Sequence, residues 1–150
     1  MTEIRELISY RLHTVANLLS RGAELRYRRE FGVSLWEWRT VALLGAKDEP
    51  QSLGHLARAA GIDKSQMSRV VSGLTKRKLV MRDTNDEDGR GVHLRLSKSG
   101  RKLYSGLIGA AAQRDAALRN CLSANEKTVF DRALAKLAGQ ARQLIHEAKK

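Results

Sequence analysis

One cysteine, one proline and seven aromatic residues (two Phe, three Tyr, two Trp) are all that 150 residues contain. Cys121 alone closes no internal disulfide, and histidines at 13, 55, 93 and 146 lack the spacing of metal ligands, so neither a metal nor a cofactor is expected. No run of about 18 apolar residues exists to span a bilayer. "MTEIRELISYRLHT" places acids and arginines where a leader needs an apolar stretch, and a cytoplasmic protein is expected. G-x-S-x-G, H-E-x-x-H, a P-loop and a complete G-x-G-x-x-G are all missing, which argues against an enzyme.

Acids are also scarce: 16 Asp and Glu stand against 28 Lys and Arg, a formal net charge of +12. Seven bases (58, 64, 69, 76, 77, 78, 82) face one acid, Asp63, between Arg58 and Arg82, and five face none between Arg90 and Lys102. Between these blocks sit Asp83, Asp86, Glu87 and Asp88. Clustered bases mark a polyanion binder, whether of DNA, RNA or an anionic membrane, and a merely solvated surface is the plain alternative. So few aromatics, with no RNP-like strand, disfavour RNA. No helix sets Lys opposite Trp and Phe as a membrane-surface helix would. A basic RNA- or membrane-surface-binding helical protein is the alternative class.

With 42% hydrophobic residues the chain is long enough for one core. Apolar residues at three- and four-residue spacing from Ile4 to Leu25 predict one long amphipathic helix over residues 3 to about 29. Ser34 with Glu37 forms a capping box opening a second helix to about Gly45, and Val33 can staple onto Trp38. "KDEPQS" reads as a turn; Ser52 then caps a short third helix that Gly61 stops, and Asp63 caps a fourth to about Arg77. The period changes to two in "KLVMRD" and "VHLRL", a β-hairpin. Ser97 and the box Ser123–Glu126 open two further helices.

The third and fourth helices, joined at Gly61 with small Ala57 where they cross and Met67, Val70, Val71 and Leu74 facing inward, have helix-turn-helix form. The opposite face of the fourth carries Ser65, Arg69, Ser72 and Lys76, with Gln66 and Ser68 beside them. Small polar residues admit close approach to a major groove, Gln and Arg read base edges, and Lys meets phosphate. The hairpin that follows is a wing. Its Arg90, between two glycines, suits the minor groove, and Asp88 is near enough to hold the guanidinium extended.

These features together, "AGIDKSQMSRVVSGLTKRKLVMR" followed by "DEDGRGVHLRLSKSG" within this order of helices, resemble the MarR (multiple antibiotic resistance regulator) family of bacterial transcription regulators. The likeness spans nearly the whole chain; Gly91 departs from it, standing where members often have a second basic or polar residue. The resemblance implies a mainly α winged helix-turn-helix fold with a small β-hairpin wing and long N- and C-terminal dimerisation helices. It implies a homodimer bound to a pseudo-palindromic operator, acting as a repressor and released by a small aromatic ligand or an oxidant. Residues 34–100 would form the DNA-binding domain, and 1–33 with 101–150 the helical dimerisation region.

Apolar stripes on three long helices cannot all be covered by a core of about 60 residues, which independently calls for a partner chain. Tyr10, His13, Trp36, Trp38 and Arg39 are the candidate effector pocket, although such tryptophans more often serve as core. Cys121, among Leu118 and Leu122, is expected to be a buried, inert thiol; a sensor would need an accessible, electropositive setting. An oxidant-sensing regulator acting through Cys121 is the alternative.

Overall fold

The computed structural model describes residues 3–83 and 91–150. Six helices run α1 Ile8–Phe31, α2 Leu35–Gly45, α3 Leu53–Ala60, α4 Lys64–Lys76, α5 Lys98–Arg119 and α6 Ala124–Glu147. Three strands, β1 Gln51–Ser52, β2 Val80–Asp83 and β3 His93–Leu96, form one antiparallel sheet in the order β1-β3-β2. This is the winged helix-turn-helix architecture expected from the sequence, mainly helical with a small β wing.

The caps explain where the helices begin. The Ser34 hydroxyl accepts from the Glu37 N–H at 3.2 Å, while the Glu37 carboxylate accepts from the Ser34 N–H at 2.8 Å. Ser52, Asp63 and Ser123 accept likewise from the N–H groups of His55, Gln66 and Glu126. Gly61 ends α3 at φ +72°, a left-handed conformation that costs a side chain dearly and glycine little. There the Ile62 N–H reaches back to the Ala57 carbonyl at 3.1 Å.

Two elements depart from the sequence reading. The expected single first helix is broken: Ile4–Glu6 form a 3-10 turn, Leu7 is extended, and the α-helix starts at Ile8. Ile4, Leu7 and Ile8 are exposed, so no packing within the chain holds that turn in register with the helix. The turn expected at "KDEPQS" contains β1, whose Gln51 pairs with Leu94 and Ser52 with His93. Gln51 is buried and its side-chain amide donates to the Leu43 carbonyl at 2.9 Å, fixing the strand to α2.

By contacts the chain divides into two units, residues up to Gly109 and Ala110–Lys150. The core lies in the first: Val33, Val41, Leu44, Leu56, Met67, Val71, Leu74, Leu94 and Leu107 are buried almost completely. Each large side chain among them contributes roughly 1.5–3 kcal/mol by leaving water. In the second unit Arg119 grips Asp131 through two hydrogen bonds at 3.1 and 3.2 Å and also bonds Asp115 at 3.1 Å. These carboxylates, Asp131 foremost, raise the Arg119 pKa further above its ordinary value.

Cys121 corrects the expectation of a buried thiol. It lies in the turn after α5, exposed, with its Sγ 3.0 Å from the Leu118 carbonyl that accepts from it. Leu118 beside it is also exposed, so the apolar neighbours that suggested burial enclose nothing within this chain.

Candidate nucleic-acid interface

The fourth helix is seated by its inner face. Met67, Val71 and Leu74 are buried, and the Thr40 hydroxyl of α2, itself buried, bonds the Trp36 carbonyl at 2.8 Å and lies 3.6 Å from the Met67 sulfur. Val70, expected on this face, is only half-buried. At the far end of α4, Arg77 pairs at 3.2 Å with Glu37, whose other carboxylate oxygen caps α2. One acid thus ties the start of α2 to the end of α4.

The outer face carries the six residues expected to meet DNA. Ser65, Arg69 and Lys76 are exposed, while Gln66, Ser68 and Ser72 are half-buried beside them. Among the described residues none of the six uses its side chain in a hydrogen bond or ion pair, in a chain where most caps and many arginines are committed. A rigid helix presenting two free cations, an amide and three hydroxyls along one face has the donors and the low profile that a major groove demands.

In the wing, β2 and β3 pair in register from Val80 opposite Leu96 to Asp83 opposite His93, and Arg95 stands 3.9 Å from Asp83 across the pair. Asp83, one of the four clustered acids, is therefore a strand residue balancing a base. Gly91 has φ +93°, a backbone conformation that glycine adopts at little cost and other residues rarely do. Asp88 and Arg90 lie outside the described residues.

Four of the five candidate effector residues fall into two hollows. Tyr10 and His13 line one of about 410 Å³ along α1, with Thr14, Asn17, Leu18 and Arg21. Trp38 and Arg39 line another of about 280 Å³, together with Ala42, Leu43, Ala59 and Ala60. Trp36 lines neither; its ring lies 4.9 Å from the Arg39 guanidinium, which also donates to the Ser20 hydroxyl at 3.2 Å. Trp38 packs at 5.1 Å on Tyr27, so one face of it is core. No group of three or more potential metal ligands occurs among the described residues, and no helix described is long and apolar enough to cross a membrane.

A family model described as the MarR family matches residues 31–91, the segment from the end of α1 to the wing. Over that segment the chain is similar to the MarR family. Solved structures extend the likeness to both units. A MarR/EmrR family transcriptional regulator from Acinetobacter sp. ADP1 is 25% identical, with a TM-score of 0.86 over 95% of this chain and 99% of its own. A MarR family transcriptional regulator from Silicibacter pomeroyi DSS-3 is 27% identical, with a TM-score of 0.76 over 91% and 99%. The Staphylococcus aureus MepR–DNA complex shares the fold at 20% identity, with a TM-score of 0.82 over 89% and 98%. No curated protein matches the chain.

Sequence reasoning missed Arg58 and Lys64 as members of one surface. They lie on successive helices, and only their convergence over Gly54, discussed below, brings them together.

Proposed function

We propose that this chain is a MarR-type, sequence-specific duplex-DNA-binding transcription regulator that works in the cytoplasm as a homodimer and represses the genes it controls. The observation that carries the reading is the outer face of α4: six polar or basic side chains, free among the described residues, on a helix locked from behind by Met67, Val71 and Leu74. In this reading Arg69 and Gln66 contact base edges, Ser65, Ser68 and Ser72 allow close approach, and Lys76 meets a phosphate. Arg90 enters the adjacent minor groove, with Asp88 holding its guanidinium. Residues 34–100 serve as the DNA-binding domain. The related MepR fold is known with DNA, which supports the same use here.

Pairing is supported by apolar surface that a soluble single chain has little reason to carry. Leu18 and Leu25 of α1 are about two-thirds exposed, and Val129, Phe130, Leu144 and Ile145 of α6 are about half exposed. A second copy of the chain would cover such stripes on 1–33 and 101–150 and would present two recognition helices to a pseudo-palindromic operator. The hollow beside Trp38 and Arg39, apolar with one cation, suits a small aromatic anion whose binding releases the operator.

Fragmented genomic DNA offered to the purified protein, with RNA and anionic vesicles as competitors, tests the function. A discrete set of duplex fragments should be retained and neither competitor should displace them. Displacement by RNA or vesicles at equal phosphate contradicts the reading.

A further inference from the structure

Three features meet at the first turn of α3. A methyl group placed on Gly54 would lie 3.1 Å from Lys64 Cε, 3.5 Å from Lys64 Nζ and 3.5 Å from Arg58 Nη1, so an ammonium and a guanidinium converge on one point above this glycine. Both residues are exposed, and neither makes an ion pair or side-chain hydrogen bond among the described residues. The neighbouring acid is already committed, since the Asp63 carboxylate accepts from the Gln66 N–H at 2.7 Å. Like charges converging without an acid repel one another, and the arrangement is relieved when an anion sits between them. The site also has backbone donors. Ser52 takes the His55 N–H, which leaves the Leu53 and Gly54 amides at the start of the helix without a carbonyl partner in it. Lys64 is followed directly by Ser65, so the point adjoins the N-terminal end of the recognition helix.

We infer that Arg58, Lys64 and the backbone at Gly54 form a clamp for one phosphate of the DNA backbone, separate from the groove-reading face of α4. A guanidinium and an ammonium together supply several directed donors to the phosphate oxygens, and the missing side chain at residue 54 leaves room for the oxygens to approach the helix. The clamp carries no sequence information; it sets the height and register at which α4 enters the groove. This inference rests on the DNA-binding reading above but not on its sequence specificity.

The test uses the full chain, a random-sequence duplex of about three helical turns, and the dependence of binding on salt. Arg58→Ala and Lys64→Ala should each reduce the slope of log affinity against log salt by about 1 and weaken random and genome-selected duplexes by the same factor. Gly54→Ala changes no charge and favours the helix, yet should weaken both duplexes several-fold by filling the space above the turn. An unchanged slope in the charge variants, or a Gly54→Ala protein that binds as tightly as the wild type, overturns the clamp. A wild type that retains no duplex of any sequence overturns both readings. Lowered slopes without any preference for selected fragments support the clamp and refute only the sequence-specific reading.

Discussion

The carbonyl of Leu79 accepts two hydrogen bonds from Ser97, one from its N–H at 3.0 Å and one from its hydroxyl at 3.3 Å. The hydroxyl has one proton, shared between this carbonyl and the nearer Lys78 carbonyl at 2.7 Å, and its oxygen accepts from the Gly100 N–H at 3.0 Å. One side chain thus caps α5 and fastens it to the chain leaving α4. Gly100 is needed because a Cβ there would fall on the Leu79 carbonyl oxygen. Gly100→Ala should therefore cost about 1–3 kcal/mol through forced backbone movement, and Ser97→Ala about 0.5–2 kcal/mol through the lost cap. Urea unfolding midpoints check both, with Gly109→Ala, where a Cβ meets nothing within 4 Å, as the control expected to stabilise by up to about 1 kcal/mol through helix propensity.

Readout by α4 predicts a split between two bases on the same helix. Arg69→Ala should cost about 1–3 kcal/mol on a genome-selected operator and relax the preference at one base position per half-site, while Lys76→Ala weakens every duplex alike. Parallel titrations on selected and random duplexes measure the difference. Equal losses on both duplexes for both variants would remove Arg69 from the base edges.

For the wing, Asp88→Asn is the informative change because two accounts give opposite signs. If the carboxylate holds Arg90 extended, its loss weakens binding in the same direction as Arg90→Ala but by less; if it only repels phosphate, its loss tightens binding. Affinities of the two single variants and the double variant at fixed salt close a double-mutant cycle. Tighter binding by Asp88→Asn, or an effect unchanged when Arg90 is absent, rejects the positioning role.

Acid should loosen the first turn of α6 before neutral conditions do. The Glu126 carboxyl is held below its ordinary value of 4.5, chiefly by the Ser123 backbone N–H and then by the Ser123 side chain. A depressed carboxyl pKa stabilises the folded state at pH above 4.5, and this contribution disappears as pH falls through the depressed value. Amide exchange over residues 124–128, compared at equal intrinsic rate, should show protection falling in that window in the wild type and less steeply in Glu126→Gln.

Much of this was legible in the sequence because local chemistry settles it. Ser34, Ser52, Asp63, Ser97 and Ser123 act as caps where their spacing to the following residues indicates, and Gly61 stops α3 as its position after an apolar run suggests. The outer face of α4 follows from helical period alone. What was missed depends on long-range placement. Gln51 and Ser52 are too few to show an alternation, and they become a strand only because β3 offers a free edge. Cys121 has apolar neighbours in sequence yet none that cover it, and the approach of Arg58 to Lys64 depends on the angle between two helices.

The central claim is that paired recognition helices of this chain read duplex DNA. A hydroxyl-radical footprint on a genome-selected fragment tests it most directly. The account predicts two protected patches related by a two-fold axis, centred about one helical turn or a whole multiple of it apart, and both lost together in protein lacking residues 124–150. A single patch, protection independent of sequence, or a truncated monomer that gives the same footprint would contradict it.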